Sequence, residues 1–394
     1  MDVGRLASTA GIVEAAEAAR GAGRLGIDTE FMSEGRYRAL LCLVQVAVDN
    51  PDPEGLPLIV LIDSLSAPDL SSIAGLLADP SIEVVLHAGR QDVAILRRAW
   101  GTELTNIFDT QIAAGFAGAS AQAGYGNLIG SMLGLRVGKT ASYTRWDTRP
   151  LTAEQLSYAA EDVAHLLQLS DELQQRLRST GRLEWAREEC HRLQSATDER
   201  DPYAVWQRLP RMGQLDPTAR AVARELAAWR ERTASDQDRP VGSVLADPAL
   251  VELAKRQPSS VRALEQIRGL HPSSIKRRGQ AILAAIAEGR RAPPIPRDEV
   301  RGRSDAGDAP LIALAEALLR ARALDAGLAY ELIASRAELE LIVGAARRSE
   351  PEPEVRTLTG WREELVGSDL RDLLAGRRSV LVGPDRRLEL GSPV

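Results

Sequence analysis

Cysteine is nearly absent from this 394-residue chain, which contains only Cys42 and Cys190. Two cysteines cannot build a disulfide framework, so we expect a protein of a reducing compartment and a cytoplasmic localisation. The four histidines and two cysteines show no spacing typical of metal ligands, which argues against a structural zinc site.

Long hydrophobic runs are missing as well. No stretch of the sequence approaches the roughly 18 continuous apolar residues that a membrane span requires. The first 20 residues carry Asp2, Glu14 and Glu17 and lack the basic-then-apolar order of a secretory signal. We therefore expect a protein with no leader segment and no membrane partner.

The composition is that of a folded, multidomain protein. Apolar residues make up 44 % and charged residues 26 % of the chain, and the length predicts two or three domains. Residues 1–200 hold 18 Lys and Arg against 27 Asp and Glu (net −9), whereas residues 201–300 hold 17 against 12 (net +5). This asymmetry fits a metal-dependent catalytic domain followed by a polyanion-binding module, although charge alone leaves ordinary fluctuation as an alternative.

The first half of the chain predicts a mixed α/β sheet with helices packed on it. The predicted strands are short runs rich in Val, Ile and Leu, at 25–29, 40–48, 57–63 and 82–87. Turn signals join the first three strands as in hairpins, whereas a helical pattern precedes the fourth and indicates a crossover. Residues 105–109 fit either one more short strand or the end of a loop.

From about residue 151 onward we expect helices and no strands. Thr152 and Gln155 have the spacing of a capping box, and apolar residues follow at near-helical periodicity. Residues 216–292 predict a bundle of short helices. A linker rich in Pro, Gly and Asp at 293–310 separates this bundle from a second helical segment at 311–390.

Two carboxylates stand close together in the first predicted strand. Alternation along a strand places Asp28 and Glu30 on one face and Ile27, Thr29 and Phe31 on the other. Paired carboxylates repel unless a cation neutralises them, and such oxygen-rich sites suit Mg²⁺ or Mn²⁺. Taken alone, the pair is explained more simply as the charged, solvent-facing end of a strand.

Further acidic residues lie at two later positions. Asp92 begins a predicted helix, where the helix dipole favours an acidic residue whatever its function. Tyr158 and Asp162 are four residues apart and share one helix face, a spacing that for tyrosine usually reflects packing. Each signal is weak alone, but their order and their placement on these elements indicate a single site.

These residues carry a resemblance. Asp28-Thr-Glu-Phe, the segment 86–92 (LHAGRQD) and the segment 158–162 (YAAED) resemble the three exonuclease motifs of the DEDD superfamily. The histidine branch of that superfamily has His five residues before the last Asp. Ser157 occupies that position here, so the pattern resembles the tyrosine branch. The sequence between the motifs is similar to that of the ribonuclease D family.

The resemblance implies a domain organisation. Residues 1–195 would form a ribonuclease H-like, mixed-sheet exonuclease domain of the α/β class. Two small all-α domains would follow, at 210–292 and 311–390, separated by the linker at 293–310. The first of these resembles the HRDC module, and the second resembles a more divergent copy of it.

The resemblance also implies the chemistry. Carried over by position, Asp28, Glu30, Asp92 and Asp162 would be catalytic carboxylates that bind two Mg²⁺ or Mn²⁺ ions per active site. Tyr158 would be a catalytic residue that orients the attacking water or helps to deprotonate it. Because two ions stabilise both the attacking and the leaving oxygen of a phosphodiester, four carboxylates from separate elements suit this reaction.

The implied activity is 3′→5′ hydrolysis of RNA ends with release of nucleoside 5′-monophosphates, as in tRNA precursor maturation. The partner would be RNA with a free 3′ end, and we expect a monomer with no small organic cofactor. A 3′–5′ DNA exonuclease and a catalytically silent RNA-binding protein are the alternatives.

Nine residues are candidates for contacts with nucleic acid, and each has a structural alternative. Aromatic and flexible side chains beside the first motif suit a terminal base, and basic residues suit the phosphate backbone. The alternatives are core packing, a satisfied buried polar group and an ordinary solvated surface. The candidates are Phe31, Met32, His87, Lys139, Arg145, Trp146, Lys276, Arg277 and Arg278.

Overall fold

The computed structural model describes residues 6–50, 55–66, 69–136, 138, 145–296 and 307–392. The chain forms two compact units. The first contains Met1–Met32, Leu41–Thr197 and Asp305–Val394, and the second contains Ser33–Leu40 and Asp198–Ser304. The domain boundaries at 1–195, 210–292 and 311–390 stay predictions, and residues 297–306 of the expected linker lie outside the described ranges.

A five-stranded sheet organises the first unit. Its strands are β1 (Arg24–Met32), β2 (Leu40–Val48), β3 (Leu58–Asp63), β4 (Glu83–Leu86) and β5 (Ile107–Asp109). They lie in the order β3-β2-β1-β4-β5. Strands β2 and β3 are antiparallel, whereas β4 runs parallel to both β1 and β5. The predicted mixed sheet is confirmed, and 105–109 provides a fifth strand.

The helices of the first unit come from both ends of the chain. The N-terminal set is α1 (Thr9–Ala22), α2 (Ser71–Leu77), α3 (Arg90–Trp100), α4 (Thr110–Phe116), α5 (Tyr125–Leu128), α6 (Ala153–Ala164), α7 (Leu166–Ser179) and α8 (Leu183–His191). The C-terminal set is α14 (Asp308–Ala326), α15 (Tyr330–Ile333), α16 (Arg336–Arg348), α17 (Gly360–Arg362) and α18 (Ser368–Leu374).

These two sets of helices share one hydrophobic core. Phe116 of α4 and Leu173 of α7 are buried in the same cluster as Leu319, Leu339 and Trp361 of the C-terminal helices. The indole of Trp361 contacts the ring of Phe116 edge-on, with ring centroids 5.0 Å apart. The C-terminal helices therefore complete the hydrophobic core on the α4–α7 side of the first unit.

The expectation that no strand follows residue 151 was wrong. A hairpin of β6 (Ser379–Val382) and β7 (Leu388–Gly391) ends the described part of the chain. Two short apolar runs flank Gly383-Pro-Asp-Arg-Arg, and Arg386 in this turn has φ 64°. A Gly-Pro-Asp turn between short alternating runs is a hairpin signal that the helical periodicity of the preceding residues obscured.

The second unit is helical. It contains α9 (Pro217–Asp236), α10 (Val241–Val244), α11 (Asp247–Arg256), α12 (Val261–Leu264) and α13 (Pro272–Arg291). Its own core includes Leu226, Leu253 and Ile282. No helix in the described ranges has the length and apolar character that a membrane crossing needs.

Candidate active site

Strand β1 carries the first two predicted ligands. Burial and the charges of Asp92, Asp162 and Glu30 raise the pKa of Asp28 well above its ordinary value. Burial and the charges of Asp162 and Asp92 raise the pKa of Glu30 to about 8. Three separate elements, β1, α3 and α6, thus bring four carboxylates within electrostatic reach of one another.

Asp92 lies in the first turn of α3 and is only 8 % exposed. The Thr29 hydroxyl of β1 donates a hydrogen bond to Asp92 Oδ1. Burial raises the pKa of Asp92, and the Thr29 hydrogen bond opposes that rise. Strand alternation predicts only that Thr29 faces away from Asp28 and Glu30. Its contact with Asp92 is a role that the sequence did not indicate.

The turn that leads into α3 is tightly held. Ala88 adopts φ 53°, which is costly for a residue other than glycine. A Cβ on Gly89 would lie 2.7 Å from the Leu86 Cβ, so only glycine fits there. The Asp109 carboxylate accepts hydrogen bonds from the backbone N of Ala88 (3.2 Å) and Gly89 (2.8 Å). This turn therefore fixes where α3 begins.

Helix α6 carries the remaining two predicted catalytic residues. The Thr152–Gln155 capping box forms as expected and fixes the first turn of the helix. Burial raises the pKa of Asp162 to about 6, although a hydrogen bond with Tyr158 lowers it. Burial and Asp162 also raise the pKa of the Tyr158 phenol above its ordinary value, so this hydroxyl is protonated at neutral pH.

The helix expected to continue past Asp162 is broken at His165. There the backbone leaves the helical region, with φ −115° and ψ 9°, and α7 starts at the next residue. The His165 backbone N donates to the Tyr125 hydroxyl at 3.2 Å. Tyr125 thereby holds the junction that follows Asp162, a role that no sequence pattern indicated.

His87 lies at the end of β4, beside Tyr125, with ring centroids 5.6 Å apart. Its Nδ1 is 2.9 Å from the Thr110 hydroxyl, which itself donates to the Leu86 carbonyl oxygen. Burial lowers the pKa of His87, so the ring is neutral at physiological pH.

Phe31 and Met32 are half-buried at the end of β1. A contact of Phe31, Met32 or His87 with RNA stays a prediction.

The loop before α6 is anchored by Arg149. Its guanidinium binds Asp63 at 2.5 Å and donates to the Trp146 carbonyl oxygen at 2.7 Å. Trp146 is 5 % exposed, and its ring lies 6.0 Å from that of Tyr158. This burial favours the packing alternative for Trp146 over direct stacking on a base. Arg145 is exposed and pairs with Asp147.

Lys139 lies outside the described residues, so its predicted contact with RNA is not addressed by the structure. In the second unit, Lys276 and Arg277 are exposed on α13. Arg278 is 7 % exposed, and its guanidinium donates to the Val244 carbonyl oxygen and to Gln237 Oε1, both at 2.9 Å. Both terminal nitrogens of its guanidinium thus donate to groups inside the module.

The four carboxylates fit divalent cations in their chemistry, because Mg²⁺ and Mn²⁺ prefer oxygen ligands. Among the described residues, no three Asp, Glu, His or Cys side chains are arranged so that they could hold an ion as they stand. Without a cation between them like charges repel, and this repulsion adds to burial in raising the pKa of Asp28. A bound cation would relieve it.

Comparison with known proteins places this site in a family. A family model described as a 3′–5′ exonuclease matches residues 7–178, and one described as an HRDC domain matches residues 219–286. The ribonuclease D of Granulibacter bethesdensis is 36 % identical over 357 residues, which cover 89 % of this chain and 87 % of that protein. The chain belongs to the ribonuclease D family.

Two further members of the ribonuclease D family are similar to this chain over most of its length. The ribonuclease D of Gluconacetobacter diazotrophicus is also 36 % identical, over 92 % of this chain and 89 % of its own length. The crystal structure of Escherichia coli RNase D, described as an exoribonuclease involved in structured RNA processing, superposes with a TM-score of 0.81. That match has 27 % identity and covers 94 % of this chain and 98 % of that one.

These comparisons confirm the predicted family, an α/β exonuclease domain followed by an HRDC module, and a 3′–5′ exoribonuclease as the class of enzyme. The segment matched by the exonuclease model contains all five predicted catalytic residues. Their individual roles, and the second HRDC-like module at 311–390, stay predictions.

Proposed function

We propose that this chain removes nucleotides from RNA 3′ ends by hydrolysis at a site of four carboxylates and one tyrosine that binds two divalent ions. The observation that carries the proposal is the convergence of Asp28, Glu30, Asp92 and Asp162. Each has a pKa above its ordinary value, and the charge of each of the other three raises that of Asp28.

The four carboxylates would hold Mg²⁺ or Mn²⁺. When bound, the two ions would supply an activated water and stabilise the charge on the leaving 3′ oxygen. Asp28 and Glu30 contribute ligands from one strand, whereas Asp92 and Asp162 contribute them from α3 and α6. Ligands from three elements allow the site to surround a phosphodiester rather than touch it from one side.

Tyr158 orients the attacking water in this proposal. Its pKa lies above the ordinary value for tyrosine because of burial and Asp162, so the phenol is a poor general base at neutral pH. A protonated phenol can still donate or accept a hydrogen bond and so place a water in line with the phosphorus. The Trp146 ring lies beside that of Tyr158, with centroids 6.0 Å apart.

The substrate in this proposal is RNA with a free, unpaired 3′ end, with tRNA precursors as one physiological class. The family supports RNA, and the E. coli relative acts on structured RNA by its description. Arg145 near the site and Lys276 and Arg277 in the HRDC module are exposed and suited to phosphate contacts. We also propose a monomeric, cytoplasmic enzyme without an organic cofactor, a setting in which the thiols of its two buried cysteines stay reduced.

The experiment follows a 5′-labelled RNA with an unpaired 3′ end in Mg²⁺, in Mn²⁺ and in EDTA. Wild type is compared with Asp28→Asn and Asp162→Asn, with Glu154→Gln as the matched control. Glu154 lies in the first turn of α6, is exposed and faces solvent, so its loss should leave the rate within about twofold of wild type.

Stepwise shortening from the 3′ end that needs a divalent ion and is lost in both site variants is the expected result. A matched DNA strand shortened as fast as the RNA would support the DNA exonuclease instead. Tight RNA binding without shortening in either metal would support the silent RNA-binding protein.

A further inference from the structure

We propose that Thr29 and Asp109 are positioning residues for Asp92, limiting the movement of its carboxylate and of the start of its helix and so favouring the binding of a divalent ion. The inference rests on the proposed role of Asp92 as a metal ligand. Neither residue belongs to the set of five predicted for catalysis.

Thr29 acts on the Asp92 carboxylate itself. Its hydroxyl donates to Asp92 Oδ1, and both side chains are buried, at 5 % and 8 % exposure. A threonine χ1 is restricted by its branched Cβ, and its strand position is fixed by the sheet, so the donor has little freedom to move. One oxygen of Asp92 is therefore held in place by a donor on the sheet.

Asp109 acts on the backbone that carries Asp92. One carboxylate oxygen accepts from the Ala88 N, and the other accepts from the Gly89 N, the residue that caps α3. The same side chain also caps α4, accepting from the backbone N of Gln111 (2.8 Å) and Ile112 (3.1 Å). A single buried carboxylate thus locks the starts of two helices to each other.

Thr110, the next residue, also holds the segment before α3 through hydrogen bonds. Its hydroxyl donates to the Leu86 carbonyl oxygen at 3.0 Å and therefore accepts from Nδ1–H of His87. Residues 109–110 consequently make hydrogen bonds to each residue of the segment 86–89. This segment includes Ala88 at φ 53°, a conformation that persists only where its surroundings impose it.

Positioning of this kind affects metal binding. The residues that orient a metal ligand typically change metal affinity by about 10- to 100-fold when they are replaced. Thr29→Val keeps the shape of the side chain and removes the donor, whereas Thr29→Ser keeps the donor. Comparing these two variants therefore distinguishes the effect of the hydrogen bond from the effect of side-chain packing.

The test measures Mn²⁺ binding to the full-length protein without RNA, from the loss of the free Mn²⁺ signal in electron paramagnetic resonance. The variants are Thr29→Val, Thr29→Ser, Asp109→Asn and Asp92→Asn. Thr102→Val is the control, because its hydroxyl donates to the Ala74 carbonyl oxygen, and neither residue belongs to the proposed site. Thermal unfolding of each variant is measured in EDTA.

We expect Thr29→Val and Asp109→Asn to weaken Mn²⁺ binding by about 10-fold or more, and Thr29→Ser to restore it to within about threefold. Wild-type Mn²⁺ affinity in a folded Thr29→Val protein would overturn the inference, even if Asp109→Asn failed to fold. Wild-type affinity in Asp92→Asn would instead overturn the proposed ligand role of Asp92. These two failures are therefore distinguishable.

Discussion

The indole ring of Trp146 lies 6.0 Å from the phenol ring of Tyr158, centroid to centroid, and is buried beneath it. Trp146 is itself fixed through its carbonyl oxygen by Arg149, which is anchored to Asp63 of β3. The proposed water-orienting hydroxyl is thus supported by a chain of contacts that reaches the edge of the sheet.

The first prediction concerns this hydroxyl. Tyr158→Phe should lower kcat by about 100-fold and leave KM nearly unchanged, because it removes an oriented hydrogen bond and not a ligand or a packing surface. Single-turnover cleavage of the labelled RNA measures this. Tyr203→Phe, an exposed tyrosine of the second unit, is the control. A loss confined to KM would show that Tyr158 only binds RNA.

The second prediction concerns pH. The pKa is about 8 for Glu30 and about 6 for Asp162, both above the values expected in the unfolded chain. A carboxyl group with a raised folded-state pKa favours folding while it is protonated, and this contribution is lost as the pH rises through that pKa. In EDTA, the unfolding temperature should therefore fall between about pH 4 and pH 8, the interval from the unfolded-chain pKa values to the folded-state pKa of Glu30.

The same experiment has two internal checks. Glu30→Gln should remove the share of the fall that Glu30 causes, which is clearest between about pH 6 and pH 8, above the pKa of Asp162, because the amide does not ionise. Saturating Mn²⁺ should raise the unfolding temperature most at the alkaline end, where all four carboxylates are ionised. A flat profile in EDTA would contradict the buried, mutually repelling site.

The third prediction concerns the turn before α3. Gly89→Ala should destabilise the protein by about 1–3 kcal/mol, because the new Cβ would lie 2.7 Å from the Leu86 Cβ. Gly75→Ala on α2 is the matched control. Nothing lies within 4 Å of its added Cβ, so alanine should stabilise that helix by up to about 1 kcal/mol. Urea unfolding measures both, and equal effects would count against a tight turn.

The fourth prediction separates two neighbouring arginines of the HRDC module. Arg278→Ala should destabilise the protein by about 1–3 kcal/mol, because it leaves the Val244 carbonyl oxygen without its donor. Arg277→Ala should change stability by less than about 0.5 kcal/mol but weaken RNA binding and reduce its salt dependence. Urea unfolding and a salt titration of RNA binding test the pair, and an Arg277→Ala variant that binds RNA normally would remove this residue from the interface.

The fifth prediction concerns the buried ion pair of Arg362 and Glu189. Arg362 is fully buried and also donates to the Leu332 carbonyl oxygen at 2.7 Å. Arg362→Met should destabilise the protein by about 3–5 kcal/mol because it leaves Glu189 buried beside one remaining cation. The double variant with Glu189→Leu should recover much of that loss in urea unfolding. Additive losses would show that the pair is not coupled.

Local signals allowed much of the architecture to be predicted. The strand β1, the capping box of Thr152 and Gln155, and the order of the motifs along the chain depend on short-range spacing that sequence displays directly. The burial of Arg278 is also visible in the sequence. Its spacing from Ile275 and Ile282 places all three on one helix face, and that face is the buried one.

The contacts that position the site could not be predicted in this way. Thr29 and Asp92 are 63 residues apart, and only the parallel pairing of β1 with β4 brings them together. The hydrogen bonds that Asp109 accepts from Ala88 and Gly89 depend on the left-handed turn at Ala88. Such tertiary contacts follow from the assembled sheet.

The shared core of the first unit has a consequence for synthesis of the protein. Phe116 and Leu173 leave the ribosome long before Leu319 and Trp361, which cover them in the finished fold. A chain interrupted before α14 would expose this apolar surface, and exposed cores are unstable and prone to aggregation and degradation. An incomplete translation product that lacks α14–α18 would therefore be a target for degradation, because these helices cover the apolar side chains of α4 and α7.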